Sequence, residues 1–390
     1  MRCKLVIAGL VALVAAALLM AWFSRSARQP GDYVPPDGAL VTYFAAPNDN
    51  DTVPLVLAGT LDPGFVRPFL LAFQKGHPSI PIAYIQAKGD AFLSRALDSC
   101  HRGEPAADLY LASSTDHLVR LANENCAEIL PSAVGAAAPA HAVWRNQVVA
   151  FTVEPAAFVF ARPQNGDSRT LPSSHMALLS WLRGLEKGHD RIGTYDIEAS
   201  ADGYDFAASD SRQAALYGRI LESLSRTDTR LYCCSNVMVD AVDRGEILFA
   251  YNIQLSYAYA AQRAGSRIIV VVPDDYQALQ TLSFMVPRHA RSPATAEQLG
   301  AFLVSEEARE LARKRLSPPG TKPSVATAYA DQLLSQASVT PLLLSLQDRS
   351  RREHLIAEWR QAIRPLAARV PAAGDGGPVP NSTISEERRR

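Results

Sequence analysis

The sequence predicts an α/β protein of two compact units, and three observations carry that reading. The chain has 390 residues, room for about two domains of ordinary size. Apolar runs of strand length alternate with helix-spaced segments, once before residue 155 and again after it. Hydrophobic residues make up 48% of the chain, enough for two cores without staples, and no repeat of roughly 20 to 50 residues suggests a solenoid.

The chain opens with Arg2 and Lys4 ahead of "LVIAGLVALVAAALLMAWF", Leu5 to Phe23, which carries no charge. Residues 1–23 therefore read as an N-terminal signal helix or a membrane anchor. Small Ser24 and Ser26 suit a peptidase, whereas the length of the run and the aromatic pair Trp22-Phe23 suit an anchor. Either way the rest is exported. Cys3 lies ahead of the apolar run, so the usual lipoprotein arrangement is absent. Residues 24–52, rich in Pro, Gly, Asp and Asn, read as a flexible linker.

The first unit begins with the strand "VPLVLAG" and a helix in which Phe65, Val66, Phe69, Leu70 and Phe73 recur at helical spacing. The strand "IPIAYIQ", the helix "AFLSRALDSC", the strand "ADLYLAS" and the helix "TDHLVRLANE" continue the alternation. "QVVAFTVEPAAFVFARP" reads as two extended runs parted at Glu154-Pro155, because proline removes a ladder donor. In the second unit, "HMALLSWLRGL" is a helix, "RIGTYD" a strand and loop, and "ASDSRQAALYGRILESL" one long helix. "NVMVDAVDRG", "ILFAYN", "QLSYAYAAQRAG" and "RIIVVVP" follow as helix, strand, helix and strand. "TLSFMVPR" and two helical segments lead to a tail, residues 366–390, that reads as disordered.

The 39 basic and 39 acidic residues cancel and form no dense basic stripe, which argues against a nucleic-acid partner. No nucleophile elbow, phosphate loop or H-E-x-x-H pair occurs, so the chain does not read as an enzyme. The eight histidines, His117 among them, lie in polar segments and read as solvated. In an oxidising compartment Cys100, Cys126, Cys233 and Cys234 are disulfide candidates, and whether Cys100–Cys126 and Cys233–Cys234 pair stays open. Adjacent Cys233 and Cys234 lack the gap with which two thiolates grip one zinc, and no metal site is expected.

One local design recurs: strand, small polar loop, helix. It brings Thr60, then Ser113 and Ser114, then Ser235 and Asn236 beside helix N-termini. Unpartnered N–H groups and the helix dipole there favour an anion. Such residues also simply cap their helices, at about 1 kcal/mol each. Three such places at strand ends suit a ligand site in open α/β sheets.

Four segments carry a family resemblance: "ADLYLASSTDHLVRLANENCAE", "VVAFTVEPAAFVFARP", "RIGTYDIEASADGYDFAASDSRQ" and "SNVMVDAVDRGEILFAYNIQLSYAYA". Together they resemble the extracytoplasmic solute-binding proteins of ABC transporters, and more narrowly the phosphoglycerate-transport regulatory branch, neighbour of the ferric-ion-binding branch. The resemblance covers roughly residues 53 to 365. It implies a two-lobed type II periplasmic-binding-protein fold with two crossover strands. Lobe 1 would comprise residues 53–155, lobe 2 residues 156–279, and residues 280–365 would return to lobe 1 and add C-terminal helices. Hinge closure near residues 154 and 280 would trap the solute.

Carried over residue by residue, the resemblance implies that Thr60, Ser113, Ser114, Ser235, Asn236 and Tyr257 face the cleft, with Thr194 and Tyr195 approaching from the second lobe. The expected function is a periplasmic receptor, cofactor-free, monomeric and free or anchored to the cytoplasmic membrane. It would close on a small anionic solute, phosphorylated or carboxylated, and present it to an ABC permease or a two-component sensor. The alternative is a ferric-ion-binding transport protein, which in that branch uses two neighbouring tyrosines. Here Tyr257 and Tyr259 are two apart, about 200° around a helix, which leaves Tyr257 alone as a hydroxyl donor.

Overall fold

The computed structural model describes residues 40–48, 52–87, 89–162, 170–185, 191–363 and 368–369. The expected signal or anchor helix, residues 1–23, lies outside them. Among the described residues no helix is long and apolar enough to cross a membrane.

Lobe 1 is built on β1 (Leu40–Phe44), β2 (Leu55–Gly59), β3 (Ile82–Gln86) and β4 (Leu109–Ala112). Helices α1 (Pro63–Gly76), α2 (Gly89–Arg102), α3 (Thr115–Asn123) and the short α4 (Ser132–Ala136) accompany them. β2 pairs in parallel with both β3 and β4, as the helical crossovers require. Along β2 alternate side chains enter two cores: Leu55 and Leu57 join Phe69 and Phe73 of α1, while Val56 and Ala58 join Phe92 of α2 and Leu118 of α3. Both faces are covered, which explains why the strand reads as an unbroken apolar run.

β1 corrects the expected linker. Residues 40–44 run antiparallel to β3 and close the edge of the sheet, with Phe44 buried. The alternation in "LVTYF" is too short and too flanked by turn residues to stand out.

After the two-residue β5 (Val143–Trp144), β6 (Val148–Phe160) is a single strand of thirteen buried residues. The expected break at Glu154-Pro155 is absent, for a topological reason. Up to Pro155, β6 pairs with the later strand β11, and from Ala156 onward with β9 of the second lobe. Pro155 therefore sits where the ladder changes partner, and its missing donor costs little there.

Lobe 2 contains α5 (His175–Arg183), β7 (Arg191–Tyr195), α6 (Ala201–Asp210), α7 (Ala214–Ser225) and β8 (Asp228–Tyr232). It continues with α8 (Ser235–Asp243), β9 (Phe249–Gln254), α9 (Leu255–Arg263) and β10 (Ile269–Val271). β7 pairs in parallel with β8 and β9, around a core of Phe158, Phe160, Phe206, Tyr232 and Phe249. The one long helix expected over residues 208–224 is replaced by α6, a 3-10 turn at Ser211–Gln213 and α7. Asp210 at the break is fully buried and accepts hydrogen bonds from Tyr251 Oη and Asn252 Nδ2, each at 2.7 Å.

The chain returns to lobe 1 through β11 (Leu279–Met285), then α10 (Pro293–Leu303), α11 (Glu306–Leu316) and α12 (Pro323–Leu334). A 3-10 segment, Pro341–Gln347, then carries it back across. The last helix, α13 (Arg349–Ile363), buries Leu355, Trp359 and Ile363 in the lobe 2 core, and β12 (Ala368–Arg369) pairs with β8. Two expectations change: residues 349–363 do not belong to lobe 1, and the tail expected from residue 366 includes a strand pair at 368–369. The edge strand β8 and the apolar face of α7 supply what these segments cover.

Both disulfides form. Cys100 at the end of α2 bonds Cys126 beyond α3, and Cys233 bonds its neighbour Cys234. His117 and His175 are buried rather than solvated, at 3% and 1% exposure. His175 Nδ1 lies 2.8 Å from Asp275 Oδ1, and its ring stacks on Tyr276.

Candidate functional site

Between the lobes lies a cavity of about 400 Å³. Lobe 1 contributes the β2–α1 and β4–α3 turns, and lobe 2 contributes the starts of α6 and α8. Gly59 makes the first wall possible. A Cβ there would stand 1.9 Å from the Leu111 carbonyl oxygen, so only glycine lets the ends of β2 and β4 close up. The closeness brings Thr60 Oγ1 within 3.0 Å of both Ser113 Oγ and Ser113 N.

Ser113 Oγ then donates across the cleft to Asp202 Oδ1 at 2.7 Å. Gln280 Nε2 donates to the same oxygen at 3.0 Å, and Gln280 Oε1 accepts from Gln254 Nε2 at 2.9 Å. On the lobe 2 side, Ser235 Oγ accepts from Gln254 N at 2.9 Å and meets Tyr195 Oη at 2.6 Å. The N-terminus of α8 has Cys234 as its cap residue, with no side-chain hydrogen bond, and Ser235, Asn236 and Val237 face the cavity. The disulfide of Cys233 and Cys234 forms part of the same wall.

Of the eight residues expected at the cleft, Thr60, Ser113, Ser235, Asn236 and Tyr257 line the cavity. Ser114 does not, being 1% exposed at the start of α3. Thr194 and Tyr195 do not line it either, and both border a small internal void that Trp359 also borders. Tyr195 still acts on the site at one remove, holding Ser235 from behind.

The charged residues of the described lining are Asp62, Glu154 and Asp202, none of them anticipated. Asp62 is the N-cap of α1, accepting from Gly64 N at 2.7 Å, and the pattern Asp-Pro-Gly ahead of an apolar helix is a readable signal for it. Asp202 lies in the first turn of α6, a helix hidden in the sequence by Gly203 and capped by Ser200. Glu154 sits in the middle of β6 at 1% exposure, where a carboxylate is rare.

Burial raises the Glu154 carboxyl to about 7, against the field of Arg315 and the Ser256 N–H that donates to Oε2 at 3.1 Å. Burial likewise raises Asp202, opposed by its hydrogen bonds from Ser113 and Gln280. Tyr257 is held well above the ordinary phenol range by burial first, then by the charges of Asp62, Asp202 and Glu154. Tyr257 therefore carries its hydroxyl proton and can donate it in a hydrogen bond. Tyr259 turns away into the core and lies under Arg263. Of the two tyrosines, Tyr257 alone is among the described residues that line the cavity.

The family model described as bacterial extracellular solute-binding protein matches residues 56–315. The chain belongs to that family. As a solute-binding protein of type II periplasmic-binding-protein fold, it is an extracytoplasmic binding protein and not an enzyme. Among solved structures, this solute-binding protein is similar to the substrate binding protein of an ABC transporter from Agrobacterium tumefaciens. The identity is 28% and the TM-score 0.74, over 84% of this chain and 99% of that one. Iron-bound HitA from Pseudomonas aeruginosa shares the fold at 18% identity and TM-score 0.59, covering 79% of this chain and 99% of that one. AfuA from Actinobacillus pleuropneumoniae, with fructose-6-phosphate bound, does so at 16% and 0.57, covering 80% and 98%. Among curated proteins, sequence comparison finds no significant match.

Proposed function

We propose that this solute-binding protein is a periplasmic receptor, free or membrane-anchored and monomeric, for a small organic solute bearing a carboxylate or phosphate. It presents that solute to an ABC permease, or to a membrane sensor. The observation that carries the reading is the N-terminus of α8, which opens into the interlobe cavity with no side-chain cap of its own. Free N–H groups and a positive dipole end, with Ser235 and Asn236 beside them, suit an anionic oxygen. The permease partner is supported by the similarity to a substrate binding protein of an ABC transporter. The likeness to the phosphoglycerate-regulatory branch makes 3-phosphoglycerate one solute to try.

Solute binding by hinge closure makes a thermal and a shape prediction. A solute at a hundred times its dissociation constant stabilises by about 2.7 kcal/mol, so a thermal-shift screen of the full chain against carboxylates, phosphate esters and neutral sugars should show at least one acid that raises Tm. The same acid should lower the radius of gyration in small-angle scattering. Stabilisation by neutral sugars alone would exclude the helix-terminus contact.

A further inference from the structure

Among the described residues that line the cavity, the charge is one-sided. Asp62 stands on lobe 1, Asp202 on lobe 2 and Glu154 on the strand that joins them, and no Lys, Arg or His is among the described lining residues. Arg315, whose field reaches Glu154, lies outside the lining. It stacks on Phe65 at 4.0 Å, with Nη2 3.3 Å from Ser256 Oγ. A solute whose only charge is negative meets the carboxylates of Asp62 and Asp202, whereas the α8 N-terminus in the same cavity wall still favours an anionic group. The two halves of the wall ask for opposite charges.

We infer that the solute is a zwitterion, an amino acid or close derivative. Its carboxylate meets the α8 N-terminus, and its ammonium is accepted by Asp62 and Asp202. This rests on the receptor reading above and narrows its substrate class. Because Asp62 and Asp202 belong to different lobes, an ammonium between them ties the lobes together, and a solute lacking it loses a contact made only on closure. Burial is what raises Glu154 and Asp202, and a cationic group placed beside these carboxylates would favour their charged forms.

The test is calorimetric titration of the full chain, at neutral pH and low salt, with the common amino acids and 4-aminobutanoate. The deaminated carboxylates, the matching amines and 3-phosphoglycerate complete the panel. At least one amino acid should bind, with its deaminated partner at least ten-fold weaker. Asp62→Asn is the cleanest variant, since asparagine caps a helix as well as aspartate does. It should weaken the amino acid about ten-fold, and Asp202→Asn should do the same, with the Tm of unliganded Asp62→Asn unchanged. A carboxylate or phosphate ester without an amine that binds as tightly as any amino acid would overturn the zwitterion and leave the receptor standing. Unchanged or tighter amino-acid binding in both variants would overturn it as well. Silence from every class would overturn both readings.

Discussion

Glu154 shows how much one buried side chain can impose on the molecule. Its folded carboxyl is raised to about 7 from an ordinary value of 4.5, so the native state holds the proton more tightly than the unfolded chain. The stability this confers is complete below the ordinary value and is lost as pH rises through about 7. At about 1.4 kcal/mol per pKa unit, the loss is on the order of 3 kcal/mol. Glu154→Gln keeps an oxygen for the Ser256 N–H and removes the titration, so the fall in Tm between pH 5 and pH 8 should be smaller in the variant. An identical fall in both proteins would mean that the buried charge does not control the profile. At this scale the hydroxyl and amide residues of the site were legible, because Ser, Thr and Asn at strand ends announce helix starts. The carboxylates were not. Glu154 looked like part of a strand break, and Asp202 sat in a stretch, residues 197–207, that was assigned to no element.

The elements that could be read were those whose two faces are both buried or whose apolar stripe is regular, such as β2, α1 and β9. Those that were missed depend on distant partners: β1 needs the edge of β3, and the break before α7 needs Tyr251 and Asn252 to hold Asp210. The two disulfides act on elements very differently. Cys100–Cys126 closes 26 residues and fixes the end of α2 to the segment after α3, and closing a loop of that length is worth about 3 kcal/mol. Replacing both cysteines by serine should lower the unfolding free energy in urea by about that amount. Replacing Cys233 and Cys234 should cost far less, since a bridge between neighbours removes almost no chain entropy. Equal losses for the two pairs would contradict this account.

At the scale of the whole molecule, the two lobes with their crossover strands were legible from the family resemblance, and the third passage of the chain was not. It is made by residues 335–348, which have little periodicity, and it delivers α13 to lobe 2, where Trp359 is 1% exposed. Trp359→Ala should cost about 3 to 5 kcal/mol. Because the loss falls on one lobe, scanning calorimetry should split into an early lobe 2 transition and a later lobe 1 transition. A single shifted peak would show that the lobes unfold as one. The order of strands across the molecule begins with β1 and ends with β12, one at the far edge of each lobe. A donor dye beside β1 and an acceptor beside β12 would therefore ride on opposite jaws, and energy transfer between them would make the protein an optical gauge of its own closure.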